Sequence, residues 1–174
     1  MRLFCRIERI DKMTDNFYAA SAPDAQPSAT SATSKRALAE QHLHRGLDHH
    51  DRQEFEQALA AYEACIQADP LFVMGYNNLG MALVDLERYD EAVIALQQSI
   101  HCDPTYAEAY NNLGFILRRL QRNVEAASAY TRFLELEPNI EENTRICDWL
   151  ESVIKESGLN SIPPFTLSPI ASSS

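Results

Sequence analysis

Residues 76–80 read Tyr-Asn-Asn-Leu-Gly, and residues 110–114 read the same five residues again, 34 positions later. The interval recurs along the chain. Pro70, Pro104 and Pro138 keep it, as do Gly46, Gly80 and Gly114, and Ala58, Ala92 and Ala126. Independent positions in register across three stretches define an internal repeat, with units at 39–72, 73–106 and 107–140.

Within a unit, apolar residues recur at intervals of three and four, the period of a helix that buries one face. Gly80 and Ala92 are small where two helices must approach closely. Each repeat proline follows an acidic residue (Asp69, Asp103 or Glu137) and cannot continue a helix, although it can open the next turn. Each unit is therefore expected to be a helical hairpin with an apolar face left over, and stacking the units buries those faces in one core. The pattern predicts helices near 36–51, 55–68, 71–86, 90–102, 105–120, 124–136 and 140–157. The last is a lid on the stack, with Ile146, Leu150, Val153 and Ile154 as its apolar stripe and Trp149 toward its inner edge. Gly158 stands where a left-handed C-cap belongs.

The units resemble the tetratricopeptide repeat. Unit two carries that family's pattern in Tyr76, Leu79, Gly80, Leu83, Tyr89, Ala92, Leu96 and Pro104. Unit three carries it in Tyr110, Leu113, Gly114, Leu117, Ala126, Tyr130 and Pro138, with Asn123 in place of the usual aromatic. Unit one keeps Gly46, Phe55, Ala58, Tyr62 and Pro70, but has His42 and Arg45 where an aromatic and a leucine are usual. The resemblance implies an all-α fold, an α-solenoid of three helical hairpins plus a C-terminal capping helix over residues 37–157.

The resemblance also implies a site. In that family, helix A of each unit lines a concave groove that takes an extended peptide or a partner's helix. The corresponding positions include Asn77, Asn78 and Met81 in unit two, and Asn111, Asn112, Phe115, Arg118 and Arg119 in unit three. Asn78 and Asn112 share a phase that matches the asparagine ladder of the O-GlcNAc transferase repeat domain. An asparagine amide both donates and accepts, so the pair could grip a peptide backbone whatever its sequence. Equally, Asn-Asn before Leu-Gly could only support packing between turns, and both readings stand at this level. Met74, Met81 and Phe115 would form an adaptable apolar floor. Arg118, Arg119 and Arg122 are the one basic cluster in an acidic body. Arg118 and Arg119 would select an acidic group on the partner, whereas Arg122 fits a helix-dipole role. The family's chaperone-tail clamp is not expected. Its lysine, asparagine and arginine positions hold Leu43, Leu47, Asn78, Glu108 and Asn112, and Glu108 would repel a terminal carboxylate.

Composition narrows the function further. The chain has 174 residues, of which 45% are hydrophobic, enough for one globular domain. Residues 1–36 hold six basic and four acidic residues, a net of +2, while residues 37–157 hold nine basic and 21 acidic, a net of −12. So acidic a body repels phosphate backbones and argues against nucleic acid. No apolar run approaches the roughly 18 residues of a membrane helix. Arginines interrupt the N-terminal stretch where a signal peptide would be apolar, so a cytoplasmic protein is expected. Leu3, Phe4, Ile7 and Ile10 do fall at helical spacing between Arg2, Arg6 and Arg9, which leaves a membrane-surface anchor in residues 1–12 as an alternative. Alternatively, Met13 is the true start.

No chemistry converges. Cys5, Cys65, Cys102 and Cys147 show no CxxC spacing. There is no glycine-rich phosphate loop, GxSxG or HExxH. His44 and Asp48 share a helix face as metal ligands would, but His42, His49 and His50 scatter round the helix, as on a solvated terminal repeat. Neither a catalytic residue, a metal nor a cofactor is expected. The flanks, 1–36 and 158–174, read as unstructured. Residues 21–34 lack apolar bulk, and the tail holds three prolines and five serines. A short linear motif around Pro163, Pro164 and Phe165 is the alternative reading of that tail. The function expected is a protein-binding adaptor, scaffold or assembly factor. Self-association through the same repeats, as a homo-oligomer, is the structural alternative.

Overall fold

The computed structural model describes residues 29–138 and 143–167, with side chains from residue 34 onward. Among them are seven α-helices and no strand: α1 (Ala29–Asp51), α2 (Phe55–Ala68), α3 (Val73–Asp85), α4 (Tyr89–Cys102), α5 (Ala107–Arg119), α6 (Asn123–Leu136) and α7 (Thr144–Ser157). Consecutive helices pair as hairpins, α1 with α2, α3 with α4 and α5 with α6, and α7 closes the stack against α6. The fold is all-α, a solenoid of helical hairpins.

The repeat positions do the packing expected of them. Ala58, Ala92 and Ala126 have no exposed surface. A Cβ at Gly80 would lie 2.9 Å from Leu96 Cγ, and one at Gly114 only 2.8 Å from the Tyr130 ring, so a helix B side chain packs directly on the glycine backbone of helix A, where a Cβ would leave it no room. Two buried clusters form, one around Tyr62, Cys65 and Phe72 and one around Leu96, Ile100, Leu113 and Ile116, and Leu79 packs against both. Each helix B ends just before the acidic residue that precedes its proline, at Ala68, Cys102 and Leu136. The pre-proline Asp69 and Asp103 are already extended, because a following proline disfavours helical backbone. Their carboxylates then accept from the turn: Leu71 N–H donates to Asp69 at 3.1 Å, and the Thr105 hydroxyl and N–H donate to Asp103 at 2.6 and 2.8 Å.

Each hairpin turn is closed by one residue in the left-handed region, Gln53, Glu87 or Gln121, with φ near 60° in all three. The next residue's N–H reaches five residues back, from Glu54 to His49, Arg88 to Leu83 and Arg122 to Leu117, the bond of a Schellman motif. None of the three is glycine. At the end of α7 the expected glycine cap is present, with Gly158 at φ 67°.

Two boundaries differ from the sequence expectation. Helix α1 begins at Ala29 rather than near 36. Residues 29–36 contain neither proline nor glycine to stop a helix, and alanine favours one whether or not a face is buried. The helix is anchored where Arg36 meets Asp69 at 3.3 Å and Glu40 at 3.5 Å and lies 4.0 Å over the Phe72 ring. The tail also departs from expectation, since residues 158–167 pack on unit three. The Phe165 ring meets Tyr110 edge-on at 5.0 Å and joins the core there. Pro163 and Pro164 restrict the free segment, which lowers the entropy lost when it docks. The proposed N-terminal anchor at 1–12, Met13, the first residues assigned to the capping helix and residues 168–174 lie outside the described residues.

Candidate functional site: the inner face of the stack

Helices A of neighbouring units approach closely, α1 with α3 and α3 with α5, whereas among the described residues no Cα of one helix B lies within 8 Å of a Cα of another. A stack whose A layer is closer packed than its B layer curves with the A helices inside. The inner face is therefore made by α1, α3 and α5, as the resemblance implied.

One apolar residue per unit stands on that face in strict register: Leu47, Met81 and Phe115, 34 residues apart. Leu47 is 38% and Phe115 44% exposed, with Met81 half-buried between them and Met74 40% exposed beside them. Apolar side chains, at least partly open to water, thus recur on this face once per unit.

The asparagines divide. Asn77 is only 1% exposed. Its amide donates to Glu108 Oε1 at 3.2 Å, and its carbonyl accepts from Asn112 Nδ2 at 3.0 Å. The Tyr106 hydroxyl donates to the other Glu108 oxygen at 2.6 Å, and burial, with that hydrogen bond, holds the phenol well above its ordinary range. The chain Asn112–Asn77–Glu108–Tyr106 thus stitches α3 to α5. The expectation that Asn77 lines the groove is corrected: a buried polar group must be satisfied from within, and this one is. Asn78 and Asn111 are half-buried. The Asn78 amide donates to the Met74 carbonyl of its own helix at 2.8 Å. Asn78 and Asn112 keep the same phase, but they bond to different kinds of partner.

Arg118 and Arg119 are exposed. The Arg118 guanidinium lies 4.9 Å from the Trp149 ring of the capping helix, and Arg119 lies 5.2 Å from the Tyr89 ring. Trp149 in turn meets Tyr130 edge-on at 5.6 Å, so α7 holds one wall of the basic corner. Arg122 points elsewhere, pairing with Glu125 through two nitrogens and holding that carboxyl below its ordinary range. At the other end, His50 bonds Asp85 at 2.8 Å, and His49 bonds Glu54 at 2.6 Å. Sequence reasoning missed the roles of Glu108 and Tyr106. Their only signal was that both flank the start of the third helix A, α5, where an acid and a phenol can meet.

Among the described residues, no group of three or more His, Cys, Asp or Glu is arranged to hold a metal ion, and no helix is long and apolar enough to cross a membrane. Cys65 and Cys102 are reduced thiols. Burial pushes the Cys65 thiol up to about 11, so it stays protonated at neutral pH.

Comparison with known proteins bears on this geometry. Two family models described as tetratricopeptide repeat match residues 43–107 and 95–127. No curated protein matches the sequence. Among solved structures, the chain is similar to the first TPR of Spaghetti (RPAP3) bound to HSP90 peptide SRMEEVD, at 24% identity and TM-score 0.64, over 71% of this chain and 95% of that one. It is similar to the first TPR domain of human RPAP3 at 27% identity and TM-score 0.60, over 69% and 96%. It is also similar to MamA at 22% identity and TM-score 0.62, over 74% and 75%. Repeat register, hairpin packing, matched models and similar structures agree that this chain is a tetratricopeptide-repeat protein.

Proposed function

We propose that the chain is an adaptor that holds a segment of another protein along its inner face. The observation that carries this reading is the apolar stripe Leu47–Met81–Phe115, one residue per unit, which leads toward the basic corner of Arg118 and Arg119. Solenoids present extended concave surfaces for this purpose. Apolar side chains of the partner would lie on the stripe, and an acidic group would meet the arginines. A guanidinium stacked on a ring keeps its in-plane N–H donors for a carboxylate. The reading makes the protein a binder rather than a catalyst, and sets it in the cytoplasm, where reduced thiols such as Cys65 and Cys102 persist.

The partner's acidic group is not the chaperone terminal carboxylate. Leu43, at one clamp position, is 3% exposed, and Glu108 puts a negative charge at another. The peptide SRMEEVD, which the similar Spaghetti domain holds, is accordingly expected to leave this chain unbound.

The test is a capture experiment on the full chain. Leu47→Glu with Phe115→Glu changes exposed residues, so far-UV dichroism and the melting midpoint should hold while the captured proteins, read by mass spectrometry, are lost. An unchanged captured set would sink the proposal. A concentration-dependent mass that the double variant abolishes, with nothing captured, would instead assign the stripe to contacts between copies.

A further inference from the structure

The curvature that brings helices A together separates helices B, and a cleft opens on the outer side between each neighbouring pair. The cleft between α4 and α6 is filled by the chain itself. Pro163, Pro164 and Phe165 lie in it, over Tyr110, Leu113 and Leu117 and beside Glu125 and Ser128. The cleft between α2 and α4 is its counterpart one repeat earlier. Its floor is Tyr76, Leu79 and Leu83, its rim includes Glu91, and Ile94 stands where the later cleft has Ser128.

The two differ in what covers them. Under the tail, Tyr110 is 3% and Leu113 1% exposed. Without one, Tyr76 and Leu79 remain half-buried and Ile94 is 50% exposed. The open cleft is also the more apolar, since isoleucine replaces serine. Its volume, about 250 Å³, falls short of the roughly 300–1,000 Å³ of small-molecule sites and suits one or two side chains of a peptide.

We propose that the cleft between α2 and α4 is a second docking site, separate from the inner face, and that its occupant is an extended Pro-Pro-aromatic segment of another protein. The chain's own tail shows how such a segment seats on this repeat architecture. Two prolines hold an extended backbone at low entropic cost, and the aromatic ring then meets the unit's tyrosine edge-on, as Phe165 meets Tyr110 at 81°. Tyr76 offers the same edge one unit earlier. The rim repeats as well, with Arg88 paired to Glu91 as Arg122 is to Glu125. The occupant comes from another protein because this chain's own segment is already engaged on unit three.

The probe is a labelled peptide, Leu-Asn-Ser-Ile-Pro-Pro-Phe-Thr-Leu, the sequence of residues 159–167, titrated into the full chain. The expected result is saturable one-to-one binding. Ile94→Glu, or alanine for the peptide's phenylalanine, should weaken it roughly tenfold or more, as loss of an apolar anchor does. Ile94→Ala, a milder change at an exposed position, should weaken it in the same direction, and Phe115→Glu on the inner face should leave it unchanged. Absence of saturable binding would overturn the proposal. So would binding that ignores Ile94→Glu and is lost in Ser128→Glu, because the peptide would then be exchanging with the chain's own tail. A dimer at rising concentration that Phe165→Ala abolishes would also overturn it, by making a second copy the occupant.

Discussion

The amide of Asn112 reaches inward, to a carbonyl that has almost no access to water. Removing it leaves Asn77 short of a partner, and an unsatisfied buried group costs about 1–3 kcal/mol. Asn112→Ala should therefore lower stability by about 1–2 kcal/mol in urea denaturation. Asn78→Ala, whose amide only bonds its own half-exposed helix, should stay within about 0.5 kcal/mol of wild type. Equal losses at the two positions would show that the stitch between α3 and α5 contributes nothing. The sequence revealed the phase of these asparagines but not which of two neighbours turns inward, since adjacent residues are only about 100° apart on a helix and both were plausible groove residues. A second residue-scale feature was invisible for a different reason. Gln53, Glu87 and Gln121 adopt left-handed backbone without the glycine that usually signals it. Gln121→Gly should relieve strain of about 1–2 kcal/mol, partly offset by the greater freedom of an unfolded glycine. A net gain of about 0.5–1 kcal/mol in thermal or urea unfolding is the expected outcome, and a loss would mean that the glutamine side chain, not the turn, matters there.

At the scale of elements, helices α2 to α6 were legible to within two residues, because a proline and a helical period mark each of them twice. What was not legible is the part of the fold that depends on neither. Helix α1 extends N-terminally on alanine propensity and on the anchor of Arg36, with no large apolar residue between 29 and 36 to announce it. The tail was read by composition, which registers prolines and serines but not the hydrophobic seat that α4, α5 and α6 build for one phenylalanine. That seat makes a measurable claim. Complete removal of a buried phenylalanine side chain typically costs about 3–5 kcal/mol. Phe165 is half-buried, so Phe165→Ala should cost about 1–2 kcal/mol, read as a lower melting midpoint. Leu167→Ala, two residues on and exposed, should cost little. If the two variants melt alike, the tail is not docked in solution.

For the whole molecule, the 34-residue period dictated a stack in which each unit rests on its neighbours. A linear stack of this kind should open from both ends alike. Among the described residues the two ends are not equivalent. The last unit is held by α7, through Trp149 against Tyr130, and again by the tail, which crosses back over α5 and α6 to the side of α4 where Gln97 lies. The first unit has α2 and α3 to rest on, and Leu38 and Leu47 of α1 remain partly open to water. Native-state hydrogen exchange should therefore find α1 among the least protected helices and α5 the most. Truncation after Gly158 should lower protection in α5 and α6 while leaving α1 as it was. Among the described residues, the returning tail thus gives the solenoid a polarity, so that a load or an unfolding machine would meet least resistance where it engages α1 and most where it engages the latched third unit.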